Sequence, residues 1–373
     1  MTVLICIPCL LTGGTEIQTL SLVRALVRGG YRVVVACYFE HSEGMVARYR
    51  EAGAEVDCFE REGKRLGGWR GIRFLARHLR RCVSCYRPQI AHVQYMAPGA
   101  QPILILKALG VRKIFATTHT DAQIYPSLRL VHFLQRRIVD VFTCITEIAE
   151  RQFFGSSRLY TGEEKLPPHA HITIHNALPP HIELREAARP APLGPLTIGV
   201  VSRLEHIKGM DLVIPAFAEL YHRDSSLRLL VVGDGSIRPS MEQQAQELGV
   251  SEAVTWAGRC DQARLQAAYD RIDLFWMPSR SEGFGLSALE AMARGCAVVA
   301  ARVGGLPELL QEGRAGRLVE PDSASALAKA SAKLLGDREA LGCAQEVARR
   351  RAANFTEARY QELMLSLYRK EGA

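Results

Sequence analysis

Two glutamates with seven residues between them, Glu282 and Glu290, form the most informative pattern in this chain. Gly283 and Gly285 follow the first glutamate, and a short apolar run leads to the second. Glycines allow backbone N–H groups to approach a ligand closely, and the pattern predicts a helix that begins near Leu286. Since the N-terminus of a helix attracts anions, a phosphate group is favoured there.

Two carboxylates beside an anion site need a partner other than the phosphate. A carboxylate can accept two hydrogen bonds from a vicinal diol, so hydroxyl groups are the expected partners of both glutamates. Phosphate and diols together indicate a nucleotide-sugar as the ligand.

A second candidate group lies in the segment 199–209, where Arg203 and Lys208 follow a predicted strand and Gly209 opens the next helix. Two cations beside a helix N-terminus would neutralise a diphosphate. The alternative is a pair of solvated surface charges, but the position directly after a strand favours binding.

The first half of the chain offers two further groups. Gly13 and Gly14 follow the first predicted strand, and their loop is either a tight structural turn or a close approach to a phosphate or sugar. The loop lacks the Gly-x-Gly-x-x-Gly dinucleotide pattern, which disfavours a dehydrogenase. His119 ends another strand, where it is either a surface-loop histidine or a group that hydrogen-bonds a sugar or moves a proton.

Two glycine-containing loops of the second half also follow predicted strands. One contains Gly233, and the other contains Gly258 and Arg259. Both loops are expected to line a nucleotide site, whereas Asp234 is interpreted as a turn-forming residue.

Strand-like and helix-like segments alternate along the whole chain, which predicts right-handed β-α-β crossovers and parallel sheets of the α/β class. The predicted strands cover residues 3–7, 32–37, 89–93, 112–117, 140–144, 171–174, 196–201, 227–232, 253–257, 272–276, 297–300 and 316–319. The predicted helices cover residues 15–28, 70–86, 99–109, 128–138, 209–222, 238–248, 261–270, 286–294 and 323–335.

A proline-rich segment at 181–195 is predicted to be a linker, because proline resists both helix and sheet. It separates an N-terminal, Rossmann-like, acceptor-side domain at 1–180 from a C-terminal, Rossmann-like, nucleotide-sugar-binding domain at 196–355. A final helix at 356–373 is expected to pack back on the first domain. Two doubly wound domains of this kind are expected to face each other across a cleft, with ligands beyond the carboxyl ends of the strands.

Composition supports a globular enzyme. The length of 373 residues favours two domains, and the apolar and charged contents are 48% and 23%. No apolar run reaches the roughly 18 residues of a membrane-spanning helix, and the N-terminus reads as a strand rather than a signal peptide. We therefore expect a cytoplasmic protein with reduced thiols. The ten cysteines include two Cys-x-x-Cys pairs, which are interpreted as small apolar residues rather than metal ligands.

The positive charge is concentrated in the first half. The total net charge is +8, of which the first 190 residues carry +9 and the remainder −1. The helix predicted at 69–86 places five arginines on one face, namely Arg70, Arg73, Arg77, Arg80 and Arg81. It is either an ordinary packed helix with a solvated basic face or a contact site for anionic lipid or a lipid-linked phosphate. Nucleic acid is not expected as a partner, because no recognition motif is present.

The complete set of motifs resembles the retaining glycosyltransferases of family 4, which have the GT-B architecture. The most specific part of the resemblance runs from Pro278 to Val299 and continues at Val303–Glu308. The resemblance as a whole covers nearly the entire chain. It implies a transferase of the hexosyltransferase class that uses a nucleotide-sugar, such as a UDP- or GDP-sugar, in polysaccharide biosynthesis.

The resemblance also implies a role for each motif residue. Glu282 would hold hydroxyls of the donor sugar and Glu290 the ribose diol, while Arg203 and Lys208 would bind the diphosphate and stabilise it as it leaves. Gly14 would approach the donor phosphate, and His119 would lie close to the transferred sugar. The remaining donor contacts would come from backbone or loop positions, namely Gly13, Gly233, Gly258, Arg259, Gly283, Phe284, Gly285 and Leu286.

The family retains anomeric configuration, and the resemblance implies front-face attack on the donor without a covalent nucleophile. The chain has no Asp-x-Asp motif, so neither a metal nor another cofactor is expected. Two alternatives stay open: a sugar-nucleotide epimerase of similar fold and a non-catalytic nucleotide-sugar-binding subunit. The acceptor is expected to be a glycan or a lipid-linked or cell-surface polysaccharide precursor, in contact with the loops 10–16, 94–100 and 119–130.

Overall fold

The computed structural model describes residues 1–59, 65–94, 100–120, 122, 125, 127–190 and 194–372. The chain divides into two compact units. The first contains Met1–Ala177 and Glu357–Ala373, and the second contains Leu178–Thr356.

Seven parallel strands form the sheet in the described part of the first unit, in the order β3-β2-β1-β4-β5-β6-β7. These strands are β1 (Thr2–Ile7), β2 (Arg32–Cys37), β3 (Glu55–Cys58), β4 (Ile90–Gln94), β5 (Lys113–Thr118), β6 (Val141–Cys144) and β7 (Ala170–Thr173). Both faces of the sheet are buried: Val3 and Ile5 of β1 face one core, and Leu4 and Cys6 face the other. Burial on both faces explains why the strands are continuous apolar runs rather than alternating ones.

The helices of the first unit cover the two faces of this sheet. They are α1 (Gly14–Arg28), α2 (Glu43–Glu51), α3 (Gly68–Tyr86), α4 (Gln101–Ala108), α5 (Leu128–Arg137), α6 (Glu147–Phe154) and the C-terminal α14 (Glu357–Glu371).

The sheet in the described part of the second unit has six parallel strands, in the order β10-β9-β8-β11-β12-β13. These strands are β8 (Thr197–Val201), β9 (Arg228–Val232), β10 (Val254–Gly258), β11 (Leu274–Met277), β12 (Ala297–Ala301) and β13 (Arg317–Val319). The helices are α7 (Val213–Tyr221), α8 (Arg238–Glu247), α9 (Gln262–Asp270), α10 (Leu286–Ala293), α11 (Leu306–Leu309), α12 (Ala324–Leu335) and α13 (Arg338–Ala352). In each sheet the order reverses beside the first strand, which is the doubly wound pattern.

The predicted α/β class with two Rossmann-like parallel sheets is confirmed. Five helices and strands escaped the sequence analysis: α2, β3, α6, α11 and α13. The predicted helix at 209–222 begins differently, because His206–Lys208 and Met210–Leu212 form 3-10 turns before α7 starts at Val213.

The C-terminal helix α14 is an integral part of the first unit. Met364 and Leu367 join the same core as β1 and α1. The Tyr368 hydroxyl lies 2.6 Å from Nδ1 of the fully buried His92 of β4, whose Nε2 lies 2.6 Å from the Thr117 hydroxyl of β5. A buried hydrogen-bonded chain therefore links the last helix to the middle of the sheet.

The segment predicted as a linker falls within the second unit and is hydrogen-bonded to the rest of that unit. The Arg185 N–H donates to the Ala293 carbonyl at 2.9 Å. The Arg189 guanidinium donates to the Asp270 carbonyl at 2.7 Å and lies 3.3 Å from the Asp273 carboxylate. Residues 191–193 of the predicted linker lie outside the described residues, as does residue 373 of the predicted C-terminal helix.

Candidate functional site

The topology of the second sheet brings two distant motifs to one place. β8 and β11 are neighbours although more than 70 residues separate them in sequence, and the strand order reverses between them. The loops that leave their carboxyl ends carry Lys208 and Glu282, respectively. Ligands of doubly wound folds bind at this switch point, so its neighbouring loops are the first place to look for a site.

Lys208 and Glu282 form an ion pair at this edge. The Lys208 Nζ lies 2.7 Å from the Glu282 Oε2, and the two side chains retain 21% and 13% of their exposure. The Ser279 hydroxyl donates a longer hydrogen bond of 3.4 Å to the same carboxylate oxygen. The pair is half-buried and accessible, so either partner can exchange its contact for a ligand.

Two glycines allow the backbone packing on which this pair depends. Gly209 has a φ of +65°, and a Cβ there would overlap the Pro278 carbonyl oxygen. Gly304 has a φ of +53°, and a Cβ there would overlap the Glu282 carbonyl oxygen. Any side chain at either position would push apart the loops that hold Lys208 and Glu282.

A second ion pair, between Arg280 and Asp211, joins the loops that carry Lys208 and Glu282. Arg280 donates to Asp211 with two parallel hydrogen bonds of 2.7 and 2.8 Å, and Asp211 lies in the 3-10 turn that precedes α7. The Arg280 guanidinium also hydrogen-bonds the His206 carbonyl. The hydrogen bonds from Arg280 lower the pKa of Asp211, so the bidentate pair stays charged at neutral pH. Arg280 is a positioning residue that the sequence analysis did not identify.

Helix α10 begins directly after the Glu282 loop. Gly285 caps it with a φ of +95°, and Leu286 is the first helical residue, as predicted. The Phe284 side chain is 2% exposed and packs edge-on against Phe355 with ring centroids 5.5 Å apart. Only the backbone of Phe284 is therefore available to a ligand, together with that of the half-buried Gly283.

Glu290 lies about one turn into α10 and is 7% exposed. Its Oε2 accepts a 2.6 Å hydrogen bond from the Tyr269 hydroxyl, and His181 Nε2 lies 3.9 Å from its Oε1. Burial raises the pKa of Glu290 to about 7, and the hydrogen bond from Tyr269 lowers it in part. Glu290 and Glu282 therefore differ in environment: Glu282 pairs with an ammonium group, whereas Glu290 accepts a hydrogen bond from a neutral hydroxyl and lies 3.9 Å from a histidine nitrogen.

The other predicted residues of the second unit occupy the same edge of the sheet. Arg203 follows β8 with an exposed side chain. Gly233 after β9 donates its N–H to the Gly258 carbonyl at the end of β10 at 2.8 Å, so these two loops are joined. Arg259 is 84% exposed, with its Nε 3.9 Å from Asp234. Asp234 accepts the Gly235 N–H at 2.9 Å, as expected of a turn-forming residue.

In the first unit, Gly13 and Gly14 form the start of helix α1. Gly13 is the N-cap in extended conformation, and Gly14 is the first helical residue. The Glu16 side chain folds back over this end, since a Cβ on Gly13 would lie 2.5 Å from its Oε2. Glu16 is 7% exposed, accepts a hydrogen bond from the Cys9 thiol at 3.1 Å, and has its pKa raised by burial. A buried carboxylate at this turn was not predicted, although its position three residues after the cap was a usable signal.

His119 lies beyond the carboxyl end of β5 and is 8% exposed. Its Nε2 lies 2.8 Å from the Gln94 Oε1 at the end of β4. Burial lowers the pKa of His119 to about 3, so the imidazole is neutral near pH 7 and a weak base. This environment favours hydrogen bonding over proton transfer among the two roles that the sequence left open.

Parts of the predicted acceptor loops are not covered by the structure. Residues 95–99, 121, 123, 124 and 126 lie outside the described residues. The described parts of these loops include the N-cap of α1 and the contact between His119 and Gln94.

The sequence matches known families along most of its length. Residues 12–155 match the model for "Glycosyltransferase Family 4", and residues 182–352 match that for "Glycosyl transferases group 1".

Two curated relatives and one solved structure illustrate the similarity. A D-inositol 3-phosphate glycosyltransferase of Corynebacterium urealyticum is 37% identical over 185 residues, which cover 48% of this chain and 44% of the relative. A GDP-mannose-dependent alpha-(1-6)-phosphatidylinositol monomannoside mannosyltransferase of Mycolicibacterium smegmatis is 32% identical over 254 residues, or 64% of this chain and 66% of the relative. The chain thus spans less than half the length of the first relative. The structure of Anabaena Alr3699/HepE in complex with UDP shares the fold, with a TM-score of 0.78 over 97% of both chains at 17% identity.

Proposed function

Because this chain belongs to the family 4 glycosyltransferases, we propose that it transfers a sugar from a nucleotide-sugar to a hydroxyl group of an acceptor. The observation that carries the proposal is the Lys208–Glu282 pair at the switch point of the second sheet. A nucleotide-sugar needs a cation for its diphosphate and a hydrogen-bond acceptor for its sugar hydroxyls, and this pair supplies both.

In this proposal, Lys208 and the exposed Arg203 bind the diphosphate, helped by the N-terminus of α10. The diphosphate would replace Glu282 as the partner of Lys208. Glu282 would then accept hydrogen bonds from hydroxyls of the donor sugar, and Glu290 from the ribose diol. We propose that backbone N–H groups of Gly283, Phe284 and Gly285 also contact the donor. The buried Phe284 side chain fits this role, because it leaves only the backbone of that residue available to a ligand.

The proposed reaction breaks the bond between the anomeric carbon and the leaving phosphate oxygen, and forms a bond from that carbon to the acceptor oxygen. The acceptor proton passes to a leaving phosphate oxygen, and attack on the same face retains the anomeric configuration. Positive charge develops on the sugar and negative charge on the diphosphate. Fixed cations stabilise the leaving charge without reorganising, so we propose a reaction that requires no metal.

The donor and acceptor classes rest on similarity and charge. The Mycolicibacterium relative is named for GDP-mannose dependence, and the Anabaena structure holds UDP. Both curated relatives are named for inositol compounds that carry a phosphate group. The first 190 residues of this chain carry a net charge of +9, which agrees with an anionic acceptor. We propose a phosphate-bearing acceptor, such as a lipid-linked polysaccharide precursor.

Thermal unfolding with a panel of nucleotides and nucleotide-sugars tests the donor proposal. A donor at about 100 times its dissociation constant should stabilise the protein by about 2.7 kcal/mol through mass action. We expect the cognate nucleoside diphosphate and its sugar to raise the unfolding temperature more than the other bases do. A panel in which no nucleotide changes the unfolding temperature would contradict the proposal.

Turnover distinguishes a transferase from the two alternatives. The selected donor is incubated with and without candidate acceptors, and the products are separated by chromatography and mass spectrometry. A transferase yields a glycosylated acceptor and free nucleoside diphosphate. Conversion of the donor sugar without an acceptor would indicate an epimerase instead, and binding without turnover across all acceptors would indicate a non-catalytic subunit.

We further propose that the basic face of α3 contacts an anionic membrane surface. Leu75, Leu79 and Cys82 bury the apolar side of α3 in the first unit, so its apolar face is already occupied. Arg70, Arg73, Arg77 and Arg80 are exposed, whereas Arg81 pairs with Asp57. Trp69, at the start of α3, is 81% exposed. None of the described helices combines the length and apolarity needed to cross a bilayer. Binding through α3 would therefore be electrostatic, with one aromatic anchor.

Flotation with vesicles that contain phosphatidylserine tests this contact. We expect the protein to co-float at low salt and to dissociate as ionic strength rises. Arg73→Glu with Arg77→Glu should weaken binding by 2 kcal/mol or more, or roughly thirtyfold in partition coefficient, at about 1 kcal/mol per basic residue. The matched control reverses Arg264 and Arg314, two exposed arginines of the second unit. Equal loss in both double variants, or no flotation of the unmodified protein, would contradict a contact through α3.

A further inference from the structure

Three side chains with metal-binding atoms converge at one edge of the first sheet. Cys37 is the last residue of β2, Cys58 is the last residue of β3, and His41 lies in the loop between β2 and α2. The Sγ atoms and an imidazole nitrogen all lie within 4.8 Å of one another. None of these residues belongs to the proposed donor site, which lies in the second unit.

The backbone fixes this convergence. Cys37 and Cys58 are register partners on neighbouring parallel strands, so their side chains lie side by side on the same face. The loop that carries His41 is held by two hydrogen bonds, from Leu10 N to Glu40 O at 2.8 Å and from Ser42 N to Leu10 O at 3.0 Å. The cluster is therefore preorganised by the sheet and its loops, and binding would require little ordering of the chain.

The spacing is close to that of a tetrahedral zinc site. With Zn–S bonds of about 2.3 Å, two thiolate ligands of one ion lie roughly 3.8 Å apart, so the side chains need to move by no more than about 1 Å. His41 Nδ1 lies 3.3 Å from the Phe39 carbonyl oxygen, and the neutral imidazole keeps one lone pair for a metal. Thiolate and imidazole are the ligands that zinc prefers, whereas calcium and magnesium prefer oxygen.

The exposure of the three residues also fits a bound ion. Cys37 is fully buried, while His41 and Cys58 are half-buried. Solvent thus reaches one side of the cluster, which gives an ion an entry path and leaves room for a water as the fourth ligand.

We propose that Cys37, His41 and Cys58 bind one Zn²⁺ ion, with water as the fourth ligand. Both thiols lose their protons to solvent as the two Zn–S bonds form, and no electron transfer is involved. β3 is a four-residue edge strand, so an ion bound by ligands from both β3 and β2 would stabilise the pairing of these two strands. The inference is independent of the proposed transferase activity.

Metal content and affinity test the proposal on the full chain. The protein is prepared metal-free under reducing conditions and titrated with Zn²⁺ against a chromophoric chelator, and Co²⁺ serves as a spectroscopic probe. We expect one Zn²⁺ per chain, a raised unfolding temperature with Zn²⁺, and thiolate-to-Co²⁺ absorption bands in the near ultraviolet. Cys58→Ser and His41→Gln, which alter half-buried positions, should each weaken Zn²⁺ binding by more than the roughly 10–100-fold of a lost outer-shell contact.

Cys85→Ser is the matched control, because Cys85 is an exposed thiol on α3 outside the cluster. It should retain the stoichiometry and affinity of the unmodified protein, and circular dichroism should show that all variants are folded. Affinity in Cys58→Ser and His41→Gln equal to that of Cys85→Ser would overturn the proposal. So would a Cys37–Cys58 disulfide as the stable state of the protein purified under reducing conditions, because it would consume both thiolate ligands.

Discussion

Replacing Lys208 with alanine should lower kcat by a factor of about 10²–10³, the usual loss when one donor that stabilises developing negative charge is removed. The physical reason is the position of its Nζ, 2.7 Å from Glu282 at the switch point of the second sheet. In the proposed reaction this ammonium group stabilises the leaving diphosphate. Steady-state kinetics with the selected donor and acceptor measure the loss, and Lys329→Ala on the exposed side of α12 is the control.

The same pair permits a sharper experiment. Glu282→Gln should also impair transfer, because a neutral amide accepts fewer hydrogen bonds from the sugar and no longer orients Lys208. If the two residues act as a unit, the double variant should be little worse than Lys208→Ala alone, so the losses in free energy would not add. Lys208→Ala with full activity, in a folded protein, would rule out the assigned site.

Glu290→Gln should stabilise the second unit at pH 8 while it weakens donor binding. Burial raises the pKa of Glu290 to about 7, from an ordinary value of 4.5. A raised pKa in the folded state means that the native protein holds this proton more tightly than the unfolded chain does. The contribution of Glu290 to stability is therefore fully present below pH 4.5 and is lost as the pH rises through 7, by on the order of 3 kcal/mol in total.

Glutamine carries no titrating proton and can still accept the hydrogen bond from Tyr269. We therefore expect Glu290→Gln to match the unmodified protein near pH 5 and to exceed its stability by up to about 3 kcal/mol at pH 8. Urea unfolding at both pH values measures the difference. Glu252→Gln, on an exposed turn of the second unit, should change stability at neither pH. Equal destabilisation of Glu290→Gln at pH 5 and pH 8 would show that the buried charge does not oppose folding.

The prediction for Glu290 describes a binding residue that lowers the stability of its own unit. A buried carboxylate opposes folding when it is ionised, and in this proposal it is retained because a ligand with hydroxyl groups can make use of it. The loss of donor affinity in Glu290→Gln, measured in the same thermal-shift assay, would connect the two effects.

Much of the fold was predictable because both sheets are parallel and buried on both faces. Runs such as Leu229–Val232 are apolar throughout, and strands of this kind are readily located. The elements that escaped are those whose sequence signal is weak or was not used. β3 is a four-residue edge strand with two acidic residues, and α2 is a nine-residue helix with only three buried residues. α13 had a usable signal, since Asp337 caps it and three arginines lie in its last turn.

The site was predictable to a different degree. The positions of Lys208 and Glu282 were predictable, because both follow parallel strands and the loops after such strands lie at one edge of the sheet. The sequence does not reveal that the two side chains pair with each other. The environment of His119 was also hidden, because its burial depends on Gln94 from a neighbouring strand. Tyr269 lies outside every quoted motif, and Arg280 lies inside one without an assigned role, so their contacts with Glu290 and Asp211 follow from tertiary packing alone.

The return of α14 to the first unit has a consequence for synthesis on the ribosome. Domains are usually completed in order from the N-terminus, as each emerges. Here the second unit is continuous in sequence, whereas the first lacks the helix that supplies Tyr368 to His92 until the whole of the second unit has been synthesised. The unit that is begun first is therefore completed only after the second. A truncation just before Glu357 would remove part of the core that β1 and α1 form near the beginning of the chain.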